Sequence, residues 1–200
     1  MRILETTFVQ GVVDETAVLY DGTPHIAFIG RSNVGKSSTL NAITGKRKLV
    51  KVGQTPGKTR EINFFKARLE LEDKQQTSVY LVDLPGYGYA KLSKTQRNQL
   101  KELIFWYLKH PTADTALVCI VIDSKVGITD HDREIIEVLN AHDKKFIIAV
   151  NKIDKLNQKS RHALVQSLTQ ELGDTTAYVM YSATTNKHIN LLQEAIFNGI

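Results

Sequence analysis

The run HIAFIGRSNVGKS at residues 25–37 limits what this chain can become more than any other feature. Its first six residues read as a strand buried on both faces, being apolar and partly β-branched. Gly30 and Gly35 then bracket a short loop, and KSSTLNAITG reads as a helix closed by Gly45. Strand, glycine-bracketed loop and helix in this order match the spacing G-x-x-x-x-G-K-[ST]. Glycine permits backbone geometry that a Cβ would hinder, so Gly30 and Gly35 let loop N–H groups wrap phosphate oxygens, and Gly30, Arg31, Ser32, Asn33, Val34 and Gly35 are candidate GTP-binding residues. Lys36 supplies a point charge to β- and γ-phosphates, Ser37 a hydroxyl for Mg²⁺, and the helix start at Ser38 a favourable dipole.

The strand-then-helix order repeats downstream. INFFKARLEL reads as a strand joined by the polar EDKQQ to a second, SVYLVDL. KTQRNQLKELIFWYLKH carries Leu100, Leu103, Ile104, Tyr107 and Leu108 at helical spacing before Pro111 stops it. TALVCIVID, KFIIAV and AYVMYS read as further strands. They alternate with the helical segments TDHDREIIEVLNAH (opened by Thr129 or Asp130), SRHALVQSLTQELG and NKHINLLQEAIFNGI. This order predicts a three-layer α/β fold with a largely parallel sheet, one domain over 1–200 with 1–24 as a short lead-in. KRKLVKVGQTPGKTRE has no clean period and reads as a loop.

A chain of 200 residues with 42% hydrophobic and 24% charged residues suits one soluble globular domain with a full core. The longest apolar runs, ALVCIVI and FIIAV, are too short to span a bilayer, and MRILETTFVQGVVDE lacks the apolar stretch of a signal peptide. The single Cys119 excludes an intramolecular disulfide and reads as a small buried hydrophobe, while the six His residues show no metal-cage spacing. A cytoplasmic protein without a membrane role is expected. The net charge of +5 leaves room for a polyanionic partner without establishing one.

Three further motifs carry chemistry. Asp83 ends SVYLVDL, where a strand delivers a carboxylate towards the metal; in the DLPG that follows through Leu84 and Pro85, Gly86 keeps an N–H free for a γ-phosphate. NKID (Asn151, Lys152, Ile153, Asp154) follows the strand FIIAV. The Asp154 carboxylate can accept from both N1–H and the 2-amino group of guanine, donors that adenine lacks, so the loop favours GTP over ATP. Asn151 would tie this loop to the phosphate loop, and the stem of Lys152 would cover the base. YSA (Tyr181, Ser182, Ala183) follows the last strand, with the Ala183 N–H in place for the guanine carbonyl. Tyr87 stands where a water-positioning Gln is often found.

Together HIAFIGRSNVGKSS, TPGKTREINFF, LVDLPGYGYAK and NKIDKL resemble the EngB (YihA/YsxC) family of bacterial Era-like P-loop GTPases, from about residue 5 to the C-terminus. DLPGYGYAK is quite specific to that family. The resemblance implies a six-stranded, mostly parallel sheet flanked by helices, Mg²⁺-dependent GTP hydrolysis, assistance to assembly of the large ribosomal subunit, and a link to normal cell division. By position, TPGKTRE resembles the first switch, with Gly57, Lys58, Thr59, Arg60 and Glu61 beside the nucleotide. Thr59 is then the second direct Mg²⁺ ligand with Ser37, and Asp83 acts through water; Thr55 is a rival that the PGKT pattern disfavours. The family often has Thr where this chain has Asn151, a departure that leaves guanine selection untouched.

An aromatic or apolar residue after DLPG is expected in this family, whose members hydrolyse GTP without the usual Gln. In related GTPases carrying GRxNxGKS, the Asn holds a K⁺ beside the phosphates, near the place of an arginine finger. Carried over, Asn33 holds K⁺ here, and slow hydrolysis stimulated by K⁺ is expected. Asn33 merely shaping the loop, or Arg31 acting as the finger, are the alternatives.

Lys46, Arg47, Lys48, Lys51, Lys58 and Arg60 place positive charge in or beside the first switch, and YGYAKLSKTQR interleaves Tyr87 and Tyr89 with Lys91, Lys94 and Arg97. Such loops suit RNA backbone and base stacking, against the ordinary alternative of a solvated charge run. Two functional readings follow. One is a switch enzyme, a monomer, that engages rRNA and ribosomal proteins with GTP bound and leaves after hydrolysis. The other is a nucleotide-gated RNA- or ribosome-binding module in which hydrolysis is incidental.

Overall fold

The computed structural model describes residues 1–13, 19, 21–50, 61–88, 93–110, 115–173 and 176–198. Seven strands form one sheet: β1 (Arg2–Val12), β2 (His25–Gly30), β3 (Ile62–Glu70), β4 (Gln76–Asp83), β5 (Thr115–Asp123), β6 (Phe146–Asn151) and β7 (Tyr178–Met180). Their spatial order is β1-β3-β4-β2-β5-β6-β7. From β4 to β7 every neighbouring pair is parallel, and β1 and β3 add an antiparallel wing.

β2 is central and buried along its whole length, as its unbroken apolar run predicts. Its side chains still alternate: Ala27 and Ile29 face one core, Ile26 and Phe28 the other. On the first face lie α2 (Lys94–Lys109), α3 (Asp130–Ala141) and α4 (Gln158–Leu172), through Leu100, Ile104, Tyr107, Ile135, Leu139 and Leu168. On the second lie α1 (Lys36–Ile43) and α5 (Ile189–Phe197), through Leu40, Ile43, Leu192 and Ile196. The three layers are those expected. Cys119 is buried, and burial pushes its thiol far above its ordinary range, which suits an inert core residue. Among the described residues no helix is long and apolar enough to cross a membrane.

The sheet has one strand more than the six expected. Residues 2–12, read from sequence as part of a lead-in, pair antiparallel with β3 along its full length, from Arg2–Glu70 to Val12–Ile62. Register shifts between Ile3 and Glu5 and between Phe8 and Gln10 interrupt the ladder, so β1 lacks the clean alternation that marks a strand in sequence. Helix boundaries also move by cap chemistry. α4 starts two residues before SRHAL because the Asn157 side chain accepts from Ser160 N at 2.8 Å. α5 starts later than NKHI because Asn186 and His188 take φ of 57° and 59°.

Candidate functional site

The strand order reverses at β2: the chain passes to β4 on one side and then to β5 on the other. Clefts form at the carboxyl ends of strands around such a point. Four strands end there, in Gly30, Asp83, Asp123 and Asn151, the last three with polar side chains.

Gly30 pairs with Val121, and a Cβ on it would lie 2.4 Å from the Val121 carbonyl oxygen. Gly35 has φ of 98°, and a Cβ there would sit 2.4 Å from Asn151 Nδ2. Each glycine is therefore required by a close approach, one to the sheet and one to the base loop. Between them Arg31 and Asn33 are exposed, Ser32 is half-buried, Asn33 takes φ of 69°, and Val34 tucks into the α1/α5 core. α1 opens at Lys36, with Ser37 and Ser38 half-buried in its first turn. Its early N–H groups and dipole favour an anion. The Lys36 ammonium contacts Asp83, whose side chain is 3% exposed.

Asn151 ties three loops together. Its Nδ2 donates to Val34 O at 3.0 Å, while its Oδ1 accepts from Lys152 N at 2.7 Å and Ala183 N at 3.0 Å. One buried amide thus joins phosphate loop, NKID loop and YSA segment. Asp154 is exposed, and its Oδ1 accepts from Ser182 Oγ at 2.6 Å, leaving carboxylate capacity for two donors on a base edge. Ile153 is buried beneath it. Tyr181 is fully buried under α1, its hydroxyl 2.7 Å from Thr39 Oγ1, so it supports the loop from below. Burial pushes its phenol well above the ordinary range.

Leu84 and Pro85 are buried, with Leu84 N donating to Phe28 O at 3.0 Å. Gly86, also buried, follows, and Tyr87 packs into the α2/α3 core at 8% exposure. The Tyr87 hydroxyl donates to Asp132, and its ring stacks on His131. Burial first, then the Asp132 carboxylate, push this phenol far above its usual range against a smaller pull from Arg31, so it remains a neutral donor. Glu61 is exposed beside Gly11 of β1. Thr55, Gly57, Lys58, Thr59 and Arg60 lie outside the described residues, as do Lys51, Tyr89 and Lys91. Lys46, Arg47, Lys48, Lys94 and Arg97 are described and exposed.

Two acids escaped the sequence reading. Lys152 Nζ lies 2.8 Å from Asp123 Oδ2 and 2.5 Å from Asn33 O. Partial burial raises the Asp123 carboxyl, but Lys152 and the Lys125 N–H outweigh it and hold the group below its usual range. Asp123 ends a strand as Asp83 does, a positional signal that was available. Asp132 stands three residues after Thr129, the spacing of a capping box, which was likewise legible.

The comparisons with known proteins agree with this geometry. Residues 25–152 match the family described as 50S ribosome-binding GTPase, and residues 108–200 match the Elongation factor Tu GTP binding domain. A relative from Prosthecochloris aestuarii, named probable GTP-binding protein EngB, is 36% identical over 99% of this chain and 98% of its own. One of the same name from Myxococcus xanthus is 42% identical over 79% of this chain and 76% of its own. The chain belongs to the EngB family of P-loop GTPases.

EngB membership makes the protein a GTP-binding GTPase, of a family that generally needs Mg²⁺. A solved structure of a probable GTP-binding protein engB superposes with a TM-score of 0.68 at 26% identity, covering 88% of this chain and 97% of that one. Era from Aquifex aeolicus, bound to GDP and aluminium fluoride, shares the fold at a TM-score of 0.72 and 24% identity, covering 89% of this chain and 57% of Era.

Proposed function

We propose that this EngB protein is a Mg²⁺-dependent GTP switch that assists assembly of the large ribosomal subunit and so supports normal cell division. The observation that carries the switch is the convergence on one cleft of the Lys36–Asp83 pair, the α1 N-terminus and the Asn151-centred base loop. Lys36 and the loop N–H groups other than those of Ser32 and Val34, which donate within the protein, hold the phosphates; Asp154 takes guanine N1–H and the 2-amino group, Ala183 N–H meets the guanine carbonyl, and the Lys152 stem covers the ring. Gly86 N–H meets the γ-phosphate, which distinguishes GTP from GDP.

The donor set fits Mg²⁺. Ser37 offers a hydroxyl and Asp83 a carboxylate, hard oxygens of the kind that bind this ion together with phosphates and water. In this reading Ser37 and Thr59 bind directly and Asp83 through water; Mg²⁺ supplies charge neutralisation at the phosphate oxygens. Asn33, exposed on the phosphate loop, is the residue for K⁺, and hydrolysis is slow because Tyr87 cannot orient water as Gln does. The ribosomal part rests on the matched family's description as 50S ribosome-binding and on exposed basic residues beside both switches, Lys46, Arg47 and Lys48, then Lys94 and Arg97. Era, a fold relative, has been solved with 16S ribosomal RNA.

The test is cosedimentation with large ribosomal subunits at two salt concentrations, with a non-hydrolysable GTP analogue or with GDP. Pelleting with the analogue alone, lost steeply at higher salt, is expected. Pelleting with neither nucleotide refutes the ribosomal part and leaves the GTPase standing.

A further inference from the structure

Asp132 belongs to no nucleotide motif, yet it is 2% exposed and holds three donors. Its Oδ2 accepts from Thr129 N at 2.7 Å and Thr129 Oγ1 at 2.6 Å, at the positive end of α3. Its Oδ1 accepts from the Tyr87 hydroxyl. A buried carboxylate so furnished is a rigid anchor: it cannot shift without orphaning its donors.

What it anchors is the residue after Gly86. The backbone of Tyr87 is pinned separately, its carbonyl accepting from Ser32 N at 2.8 Å and its N–H reaching Gly30 O at 3.4 Å. Ser32 and Gly30 are phosphate-loop residues. Tyr87 is therefore a strut with its main chain on the phosphate loop and its hydroxyl on α3. Gly88, next along, has φ of 73° and lies so close to Arg31 that a Cβ would meet Arg31 Cγ at 3.0 Å. Gly86 sits between a proline and this strut. Glycine has the most backbone freedom to lose, so aiming its N–H at a ligand is costly unless its neighbours remove that freedom beforehand. Pro85 removes it on one side and Tyr87 on the other.

We infer that Asp132 is a positioning residue for γ-phosphate recognition, acting through the Tyr87 hydroxyl to hold Gly86 ready. The aromatic that replaces Gln in this family site then has a task of its own, to align the switch and not the water. The inference rests on the reading above that Gly86 N–H meets the γ-phosphate. GDP, held by Lys36, the α1 N-terminus and the base loop, does not use that contact. Loss of the strut therefore separates the two nucleotides, whereas a generally loosened fold weakens both.

The experiment measures equilibrium affinity for a non-hydrolysable GTP analogue and for GDP, with single-turnover GTP hydrolysis, in wild type, Tyr87→Phe, Asp132→Ala, Asp132→Asn and Gly86→Ala. In Tyr87→Phe, analogue affinity is expected to fall about tenfold, and hydrolysis with it, while GDP affinity stays within about twofold. Asp132→Ala should do the same. Asp132→Asn, whose carbonyl oxygen can accept from the tyrosine only by turning its NH2 onto the Thr129 N–H, should lose part of the ratio and less than Asp132→Ala. Tyr87→Phe keeps the packed ring and so folds even where Asp132→Ala does not. If Gly86→Ala loses analogue selectivity but Tyr87→Phe does not, or if Tyr87→Phe weakens both nucleotides equally, the positioning role is overturned. If Gly86→Ala itself leaves the ratio unchanged, the γ-phosphate reading fails and the role of Asp132 falls with it.

Discussion

The side-chain amide of Asn151 donates to the carbonyl of Val34 at 3.0 Å, across 117 positions of sequence, and joins the NKID loop to the glycine-bracketed loop after β2. The same side chain accepts from Lys152 N and Ala183 N, so Asn151→Ala orphans two part-buried N–H groups and one buried carbonyl. A loss of about 3 kcal/mol in stability is expected. GTP and GDP affinity should fall together, because the base and not the γ-phosphate loses its frame. Urea unfolding and equilibrium titration with both nucleotides check this.

In the proposed guanine contact, Asp154→Asn replaces one of two acceptor oxygens with a donor that would meet N1–H or the 2-amino group. Affinity for GTP and GDP should drop about a hundredfold or more. Ser182→Ala, which removes the 2.6 Å bond that orients Asp154 and the hydroxyl that accepts from Thr185 N at 3.2 Å, should cost about fivefold. Competition between guanine and adenine nucleotides reads the loss of base selection directly.

Three glycines should respond differently to alanine. At Gly30 the added Cβ meets backbone, the Val121 oxygen, in a central strand pair, so about 3 kcal/mol of stability is expected to be lost. At Gly35, with φ of 98° and Asn151 Nδ2 in the way, nucleotide affinity should fall at least about tenfold as the two loops are forced apart. Gly45, with φ of 65° and open space around it, should lose about 1 kcal/mol and bind nucleotide normally.

Much of the phosphate loop was legible in sequence for a local reason: those glycines and the following Lys-Ser must recur at fixed spacing wherever a strand turns into a phosphate-facing helix. Local signals marked Asp132, by capping-box spacing, and Asp123, by its place at a strand end, but not their partners Tyr87 and Lys152, which lie 45 and 29 positions away. No local periodicity reports such a meeting.

Lys36→Ala leaves the Asp83 carboxylate without its ammonium in a place where that side chain is 3% exposed. The nucleotide-free protein should lose about 3 kcal/mol. The double variant Lys36→Ala with Asp83→Ala should recover part of it, since no lone charge then stays buried. Denaturation without nucleotide separates this effect from lost phosphate binding.

Hydrolysis should run faster in K⁺ than in Na⁺ at equal ionic strength, and Asn33→Ala should erase the difference while leaving GDP affinity within about twofold. Equal wild-type rates in the two salts would remove K⁺ from the mechanism.

The chain's local chemistry decided the alternation of strands and helices, the phosphate loop, the DLPG and NKID segments and the preference for guanine. Each depends on residue types within a few positions of one another. Long-range packing decided the rest. β1 becomes a strand only because β3, fifty and more residues later, offers it an edge. Tyr87 becomes a strut only because α3 carries a buried carboxylate to its hydroxyl. Pairing and burial of that kind depend on which surfaces meet when the sheet assembles, and a stretch of sequence does not carry the address of its partner.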